Sequence, residues 1–273
     1  MAISKLNIAR SFSRAAINYD RVAHLQREVG ETLLAMLPKQ IFSSTSCNNV
    51  GTLVDLGCGT GYFANALKLL YPQMQYVGTD IAEGMVDYAN GQFSSLSWLC
   101  GDAEQLPFDA QTIDCFFSNL TFQWCGDLGT VFTELARSLK PGGQIGFSTL
   151  GPKTLRELRS AWLQVDQFIH VNEFYPTDYW IKAIRHAGLE IDKHITELKT
   201  LQYDQVPELT QELKALGAHN MNSGQRRTFY GRRKIQQFHE AYERFRNQQG
   251  KLLATYEVYY WLLHKPLSTI DAT

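Results

Sequence analysis

The sequence has little of what marks disulfide-rich or metal-binding proteins. It contains five cysteines, an odd number, in 273 residues, and no two of them form a C-x-x-C pair. A disulfide framework or a zinc site is therefore not expected, and a reducing cytoplasm suits the chain better. The seven histidines show no metal-ligand spacing either, so we expect no metal.

Long apolar runs and an excess of one charge are also missing. The longest apolar stretches are far too short to cross a bilayer, and the first seven residues are mixed and polar rather than typical of a secretion signal. The formal net charge of −1 gives no global attraction to nucleic acid. We therefore expect a cytoplasmic protein whose partners are neither membranes nor nucleic acids.

The pattern of apolar residues changes twice along the chain. Residues 1–42 have apolar side chains at helical spacing, and a polar Ser/Asn-rich stretch, 43–49, predicts a loop. Between 50 and 150, short apolar strands alternate with helices, which is typical of βαβ units and a parallel sheet. The predicted strands are 52–56, 76–80, 97–100, 113–118 and 144–149, the last after a turn at 140–143.

Beyond residue 150 the regularity weakens. Helices are predicted at 155–165 and 177–187, and strands at 197–203 and 253–260, with a polar helical stretch at 207–248 between the two strands. We interpret that stretch as an insertion over the substrate side of the sheet. The chain is thus expected to comprise an N-terminal helical lid (1–42), an α/β core (50–150), and an insertion with closing strands of the same domain (151–273).

A glycine-rich turn follows the first predicted strand. Asp55 precedes three alternating glycines, Gly57, Gly59 and Gly61. Glycine lets the backbone turn sharply and approach a ligand closely, and in a doubly wound sheet this position is the ligand crevice. A dinucleotide site uses G-x-G-x-x-G, but Tyr62 occupies the position of its third glycine. A turn that needs glycine only for its shape is the other alternative.

Two further carboxylates follow neighbouring strands. Asp80 ends the second strand, about where a carboxylate meets the hydroxyls of an adenosine ribose. Asp102 follows the third strand and can reach an adenine amino group. Ile81 and Met85 can supply apolar walls for the ring.

This ordered set resembles the class I S-adenosylmethionine-dependent methyltransferase superfamily. The segment G-D-A-E-Q-L-P-F at 101–108 resembles its small-molecule branch. The resemblance covers roughly residues 50–150 and implies a Rossmann-like, mostly parallel α/β sheet that binds S-adenosylmethionine as co-substrate. It implies that Asp55 and the three glycines line the methionine end of the ligand. The other implied cofactor-binding residues are Asp80 and Ile81 at the ribose, Asp102 and Ala103 at the adenine, and Met85 and Asn119 beside them.

Outside that core the chain resembles a narrower group, the malonyl-acyl carrier protein O-methyltransferases of biotin synthesis. The matching segments are 8–16 with Tyr19 and 25–27, 118–125, 147–151 with 154–158, and 213–218 with the loop 220–227. The run at 120–122 and the linker at 43–49 depart from the pattern. The resemblance implies that the free carboxylate of a malonyl thioester, on carrier protein or coenzyme A, accepts a methyl group. The methyl ester then primes pimeloyl synthesis for biotin.

This chemistry makes modest demands on the protein. A carboxylate is already ionised, so no general base is needed, and alignment can supply most of the rate. An otherwise apolar pocket with a cationic partner would hold the carboxylate away from water, and a guanidinium suits it best. We predict Arg226 or Arg227 as that partner, with Tyr19, Gln123 and Trp124 closing the pocket.

Two other predictions concern partners and alternatives. An acidic carrier protein calls for a basic docking patch, and the candidates are Arg226, Arg227, Arg232, Arg233 and Lys234, or Arg10, Arg14, Arg21 and Arg27. A methyltransferase with a quinone ring carbon or a small amine as acceptor would share residues 50–150, but would not need the matches at 123–125 and 213–218. A binding protein without activity would show a broken glycine turn or lack Asp80, and neither is seen.

Overall fold

A computed structural model describes residues 4–41, 50–217 and 231–267. In these residues one sheet has seven strands in the order β3-β2-β1-β4-β5-β7-β6. The strands are β1 Thr52–Leu56, β2 Gln75–Asp80, β3 Ser97–Cys100, β4 Ile113–Asn119, β5 Leu139–Leu150, β6 Glu190–Tyr203 and β7 Leu252–His264. The helices are α1 Lys5–Val22, α2 His24–Met36, α3 Ala64–Leu70, α4 Glu83–Gln92, α5 Leu128–Ser138, α6 Arg156–Trp162, α7 Thr177–His186, α8 Val206–Ala215 and α9 Arg232–Glu243.

The first five strands are parallel, and β7 runs antiparallel between β5 and β6. The prediction of a Rossmann-like, mostly parallel sheet is therefore confirmed. Strand order reverses between β1 and β4, because β2 and β3 lie to one side of β1 whereas β4 and β5 lie to the other. Ligands of doubly wound sheets bind beyond the carboxyl ends of the strands at such a reversal. The glycine turn after β1 lies at this place.

Two apolar clusters cover the two faces of the sheet. Leu53 belongs to one cluster and its neighbour Val54 to the other, because successive side chains of a strand point to opposite faces. The first cluster includes α2, α3 and α6, and the second is built largely on α5 and α7. Fully buried Phe132 and Trp180 anchor that second face. Both clusters hold the strand ends rigidly beneath the ligand crevice.

Several predicted boundaries were wrong in the second half of the sheet. The turn expected at 140–143 is part of β5, where Gly142 donates to the Lys265 carbonyl and Gly143 accepts from the Lys265 amide. Strand β6 begins at Glu190, seven residues before the predicted start at 197. Its early part is polar and exposed, yet it pairs with β7 along its whole length. Backbone pairing rather than side-chain pattern therefore sets both boundaries.

Helix α1, in the segment predicted to form the N-terminal lid, is fixed above the carboxyl ends of the parallel strands. The Asp20 carboxylate accepts from the Thr60 hydroxyl at 2.9 Å, and the Ser13 hydroxyl accepts from the Gly84 amide at 3.1 Å. Near its start, Ser11 donates to the Gly217 carbonyl after α8. The lid thereby joins the glycine turn to the C-terminal helices. Across the described ranges, none of the helices combines the length and the apolar character needed to span a membrane.

Candidate active site

The glycine turn contains two glycines with different roles. Gly57 has a φ of +75°, and a Cβ there would lie 2.1 Å from the Thr121 hydroxyl oxygen. Gly59 has a φ of +54°, but a Cβ there would meet nothing within 4 Å. Gly57 is therefore needed for packing within the protein, whereas the backbone at Gly59 faces open space. An open approach to backbone at a strand end is what a ligand requires.

Asp80 ties the end of β2 to this turn. Its Oδ2 accepts from the Gly59 amide at 3.0 Å and its Oδ1 accepts from the Ala82 amide at 2.8 Å. Burial raises the pKa of Asp80, and these backbone donors act in the opposite direction. Each carboxylate oxygen retains a second lone pair. Asp80 can therefore shape the turn and still accept from two ligand hydroxyls.

Asp55 lies behind the turn rather than in the crevice. The side chain is only 2% exposed, and its Oδ2 accepts from the Tyr76 hydroxyl at 2.9 Å. Burial raises the pKa of Asp55 to about 7, although the hydrogen bond from Tyr76 lowers it. Asp55 and Gly61 line neither of the two cavities at the strand ends. In this structure Asp55 and Gly61 therefore contribute to the turn itself and do not line the crevice.

Two adjoining cavities extend along the carboxyl ends of the strands. The larger, of about 280 Å³, is lined by Gly57, Gly59, Asp80, Ile81, Met85 and Asn119 among the candidate cofactor residues. The smaller, of about 50 Å³, is lined by Asp102 and Ala103. Gly57, Asp80 and Ile81 line both. The structure thus brings eight of the ten candidates to one continuous crevice.

The candidates for the substrate side line the larger cavity as well. The Phe12 ring of α1 contacts Tyr19 and Trp124 edge to face, with centroids at 6.4 and 5.4 Å. Gln123 donates to the Leu120 carbonyl at 2.6 Å and accepts from the Thr149 hydroxyl at 3.2 Å. Burial raises the pKa of Tyr19, with Asp80 and Asp20 adding to the effect. Its phenol is therefore neutral at physiological pH. Arg226 and Arg227 lie outside the described residues.

The far wall of the larger cavity was not predicted as part of the site. It is mostly apolar and comes from α6, α8 and the segment between α6 and α7, including Leu155, Leu158, Val171, Phe174 and Leu213. His170 lines it too, stacked on Trp162 at 3.8 Å, with Nε2 2.7 Å from the Asp166 carboxylate. Leu155, Leu158 and Leu213 belong to matching segments, which were the available signal. Nothing in the spacing of the others indicated a site.

Comparisons with known proteins identify the family of the chain. A methyltransferase domain family matches residues 54–147. The chain is 40% identical over 277 residues to the malonyl-[acyl-carrier protein] O-methyltransferase of Methylovorus sp., covering 98% of this chain and 91% of that one. It is 38% identical over 264 residues to the enzyme of that name from Methylococcus capsulatus, covering 93% and 92%. The chain belongs to the malonyl-[acyl-carrier protein] O-methyltransferase family.

Other relatives of the chain are about twice as long. The biotin biosynthesis bifunctional protein BioHC of Cellvibrio japonicus is 45% identical over 266 residues, which is 97% of this chain and 51% of that protein. The chain therefore spans about half the length of the bifunctional relatives it matches.

Solved structures with low sequence identity share the fold. Geranyl diphosphate C-methyltransferase from Streptomyces coelicolor, crystallised with S-adenosyl-L-homocysteine, aligns with a TM-score of 0.51 at 17% identity, covering 90% of this chain and 83% of that one. The [4+2]-cyclase SpnF aligns with a TM-score of 0.53 at 15% identity, covering 88% and 81%. Since one of these neighbours is a cyclase, the fold alone does not specify the reaction.

Proposed function

We propose that this protein transfers a methyl group from S-adenosylmethionine to the free carboxylate of a malonyl thioester carried on acyl carrier protein, in biotin synthesis. One observation carries the proposal. The larger cavity extends from the glycine turn to an apolar chamber, which is the part of the cavity enclosed by the far wall with Leu155, Leu158 and Leu213. The match to the family covers nearly the whole chain and so includes the segments that build this chamber. A shared methyltransferase core would account for the turn, but not for the chamber.

The residues at the strand ends fit the methyl donor. Space for a ligand exists directly in front of Gly59, where a Cβ would meet nothing within 4 Å. Asp80 would hold the ribose hydroxyls, and Asp102 with Ala103 would hold the adenine in the smaller cavity. Ile81 and Met85 would flank the nucleoside. When bound, S-adenosylmethionine supplies an electrophilic methyl group on a sulfonium.

The chamber suits an acceptor that is already nucleophilic. A carboxylate needs no deprotonation, and neutral Tyr19 is not placed to act as a base. The walls exclude water, which raises the reactivity of an anion provided that a cation holds it. Arg226 or Arg227 is the cation we propose, because both follow the α8 segment whose Leu213 and Leu216 line the cavity. Tyr19, Gln123 and Trp124 would orient the malonyl group.

The proposed setting is the cytoplasm, with malonyl carrier protein or malonyl-CoA as partner and no metal. Cys58, Cys100, Cys115 and Cys125 are free thiols, which suits a reducing compartment. In the described ranges no group of three or more His, Cys, Asp or Glu side chains could hold a metal ion.

The deciding experiment is methyl transfer followed by intact mass. Purified protein is incubated with methyl-labelled S-adenosylmethionine and malonyl carrier protein, with acetyl carrier protein as the matched control because it lacks the carboxylate. We expect a gain of one methyl group on the malonyl form alone, lost on ester hydrolysis. Cofactor binding without any methyl ester would overturn the malonyl acceptor and direct the search to ring-carbon and amine acceptors.

The arginine assignment has its own test. Arg226→Lys and Arg227→Lys keep the charge but remove the planar pair of donors that matches a carboxylate. At least one of the two variants should raise the KM for the malonyl substrate sharply while the affinity for S-adenosylhomocysteine stays constant. Unchanged kinetics in both variants would remove the assignment.

A further inference from the structure

The side chain of Gln26, in α2, has an unusual feature. Its amide oxygen is buried, and no residue of the described chain donates a hydrogen bond to it. Gln26 nevertheless lines the larger cavity. Two other buried polar atoms in the described residues are likewise unpaired, on Thr79 and Trp261, but those residues line neither cavity. Gln26 is therefore the one of the three that borders the crevice.

An unpaired buried acceptor is costly. Such a group has lost its hydrogen bonds to water on folding and has gained none in return, so nearly all buried polar groups in folded proteins are paired. The helix around Gln26 cannot easily turn away, because Leu25 and Val29 are buried in the core and the Gln26 carbonyl accepts from the Asn119 side chain at 2.8 Å. One turn later, a Cβ on Gly30 would overlap the Phe63 ring. Gln26 is thus held at the cavity wall with one acceptor unpaired.

Strand order indicates which part of a bound nucleoside would meet this acceptor. Along the carboxyl edge of the sheet, Asp102 follows β3, Asp80 ends β2, Gly57 follows β1 and Asn119 ends β4. Strands lie about 4.8 Å apart, so the edge from β3 to β4 spans roughly 14 Å. With adenine at Asp102 and ribose at Asp80, the rest of the methyl donor extends past Gly57 towards β4. Gln26 contacts Asn119 at that end.

The charges around the glycine turn indicate which group of the methyl donor would meet the Gln26 oxygen. Asp80 and Asp20 hydrogen-bond to residues of the turn, at the Gly59 amide and the Thr60 hydroxyl, and Asp55 lies behind it. The two carboxylates bonded to the turn, Asp80 and Asp20, favour a cation over an anion. We infer that the amide oxygen of Gln26 accepts a hydrogen bond from the α-ammonium of the methyl donor, and so positions its amino-acid end. The inference rests on the proposed use of S-adenosylmethionine but not on the malonyl acceptor.

Ligand binding tests the inference without any turnover. Calorimetry compares S-adenosylhomocysteine, which carries the amino-acid end, with methylthioadenosine, which lacks it, on wild type and on Gln26→Met. A hydrogen bond to a charged group contributes about 1.5–3 kcal/mol, equivalent to roughly 10- to 150-fold in affinity. We expect Gln26→Met to weaken S-adenosylhomocysteine by at least tenfold and to leave methylthioadenosine within twofold. Gln26→Glu, which keeps acceptor oxygens, should bind S-adenosylhomocysteine better than Gln26→Met does.

The ligand-free protein provides a second readout. Replacing an unpaired acceptor by an apolar isostere removes its cost, so ligand-free Gln26→Met should unfold at the same temperature as wild type or higher. Equal losses for both nucleosides, no loss for either, or a clearly destabilised ligand-free variant would each overturn the inference. Gln26→Glu binding worse than Gln26→Met would overturn the ammonium as the partner. Wild type that binds S-adenosylhomocysteine but esterifies no malonyl thioester would overturn the proposed acceptor alone.

Discussion

The ammonium of Lys5 lies 2.6 Å from a carboxylate oxygen of Asp102 and 2.7 Å from one of Glu104. Lys5 begins helix α1, whereas Asp102 lines the small cavity proposed for adenine. Near the other end of the same helix, Asp20 accepts from Thr60 in the glycine turn. The lid is therefore fastened to the core at both ends of the proposed nucleoside site.

Removing the ion pairs of Lys5 should lower the affinity for the ligand rather than the stability of the fold. Lys5 and Asp102 are each about one third exposed, and such pairs contribute roughly 0.2–1 kcal/mol. We therefore expect Lys5→Met to weaken S-adenosylhomocysteine about two- to fivefold, mainly through faster dissociation. Stopped-flow and calorimetric measurements at low and high salt check this, because wild-type affinity should fall with salt more than that of the variant.

Lys182→Met is the matched control for this change. Lys182 is an exposed lysine of α7, which packs on the opposite face with α5. The Lys182→Met variant should bind S-adenosylhomocysteine with the affinity of wild type at every salt concentration. A Lys5→Met variant with wild-type affinity would show that the lid does not depend on this ion pair.

Two alanine substitutions in the glycine turn should have different effects. Gly57→Ala places a methyl group 2.1 Å from the Thr121 hydroxyl oxygen at a φ of +75°, so it should lower the free energy of unfolding by about 2–4 kcal/mol. In Gly59→Ala the new methyl group meets no atom within 4 Å. This variant should lose only the about 1–2 kcal/mol that a residue with a Cβ costs at a positive φ. Its methyl group projects into the crevice, so it should still weaken S-adenosylhomocysteine by at least tenfold.

Thermal unfolding and calorimetry on both variants separate the two effects. Adding Thr121→Ala to Gly57→Ala should recover part of the lost stability, because it removes the two closest clashing atoms, Oγ1 and Cγ2, and leaves only Cβ. Adding it to Gly59→Ala should recover nothing. If Gly59→Ala bound S-adenosylhomocysteine normally, the crevice in front of that glycine would not be the donor site.

The carboxyl group of Asp55 should make stability depend on pH. Burial raises its pKa to about 7 from an ordinary value near 3.8, so the native state binds its proton more tightly than the unfolded state does. Its contribution is therefore fully present below pH 4 and is lost as the pH rises to about 7. Asp55→Asn imitates the neutral acid, so wild type should lose on the order of 3 kcal/mol relative to this variant across that range.

Urea unfolding of both proteins between pH 4 and 8 measures this difference. Tyr76→Phe serves as a second check, because the Tyr76 hydroxyl donates to Asp55 and lowers its pKa. Without that donor the pKa of Asp55 rises further, so the loss of stability relative to Asp55→Asn should occur at higher pH. A difference between wild type and Asp55→Asn that stays constant over the range would contradict a raised pKa for Asp55.

The cofactor half of the protein could be predicted from sequence because local chemistry sets its structure. Short apolar strands followed by glycine or aspartate determine both the strand ends and the residues found there. Gly57, Asp80 and Asp102 consequently lie along one edge, since parallel strands bring their carboxyl ends together. Asp55 shows the limit of this reasoning. A residue inside a strand faces one side of the sheet or the other, and Asp55 is directed towards Tyr76.

The rest depended on contacts between residues distant in sequence. His170 reaches the cavity through its stacking on Trp162 and its bond to Asp166, and nothing in the local pattern encodes that arrangement. Strand β6 is polar over its first half and exists because β7 pairs with it. Gln26 lies in the matching segment 25–27, but its place in an amphipathic helix gave it no role. Its unpaired oxygen becomes apparent only when α2 is packed against Asn119.

The exposed face of the lid is a candidate docking surface for the proposed carrier protein. Arg10, Arg14 and Arg21 of α1 are all exposed, and α1 also contributes Phe12 and Tyr19 to the cavity wall. An acidic carrier protein that docks there would place its thioester at the cavity, and attraction between exposed charges is screened by salt. Turnover of malonyl carrier protein should therefore fall with ionic strength, whereas turnover of malonyl-pantetheine should not.

The double variant Arg10→Gln/Arg14→Gln should raise the KM for the carrier protein severalfold and leave that for malonyl-pantetheine unchanged. Arg185→Gln, at an exposed residue of α7 on the other face, should change neither KM. Equal salt dependence of both substrates would argue against docking on the lid.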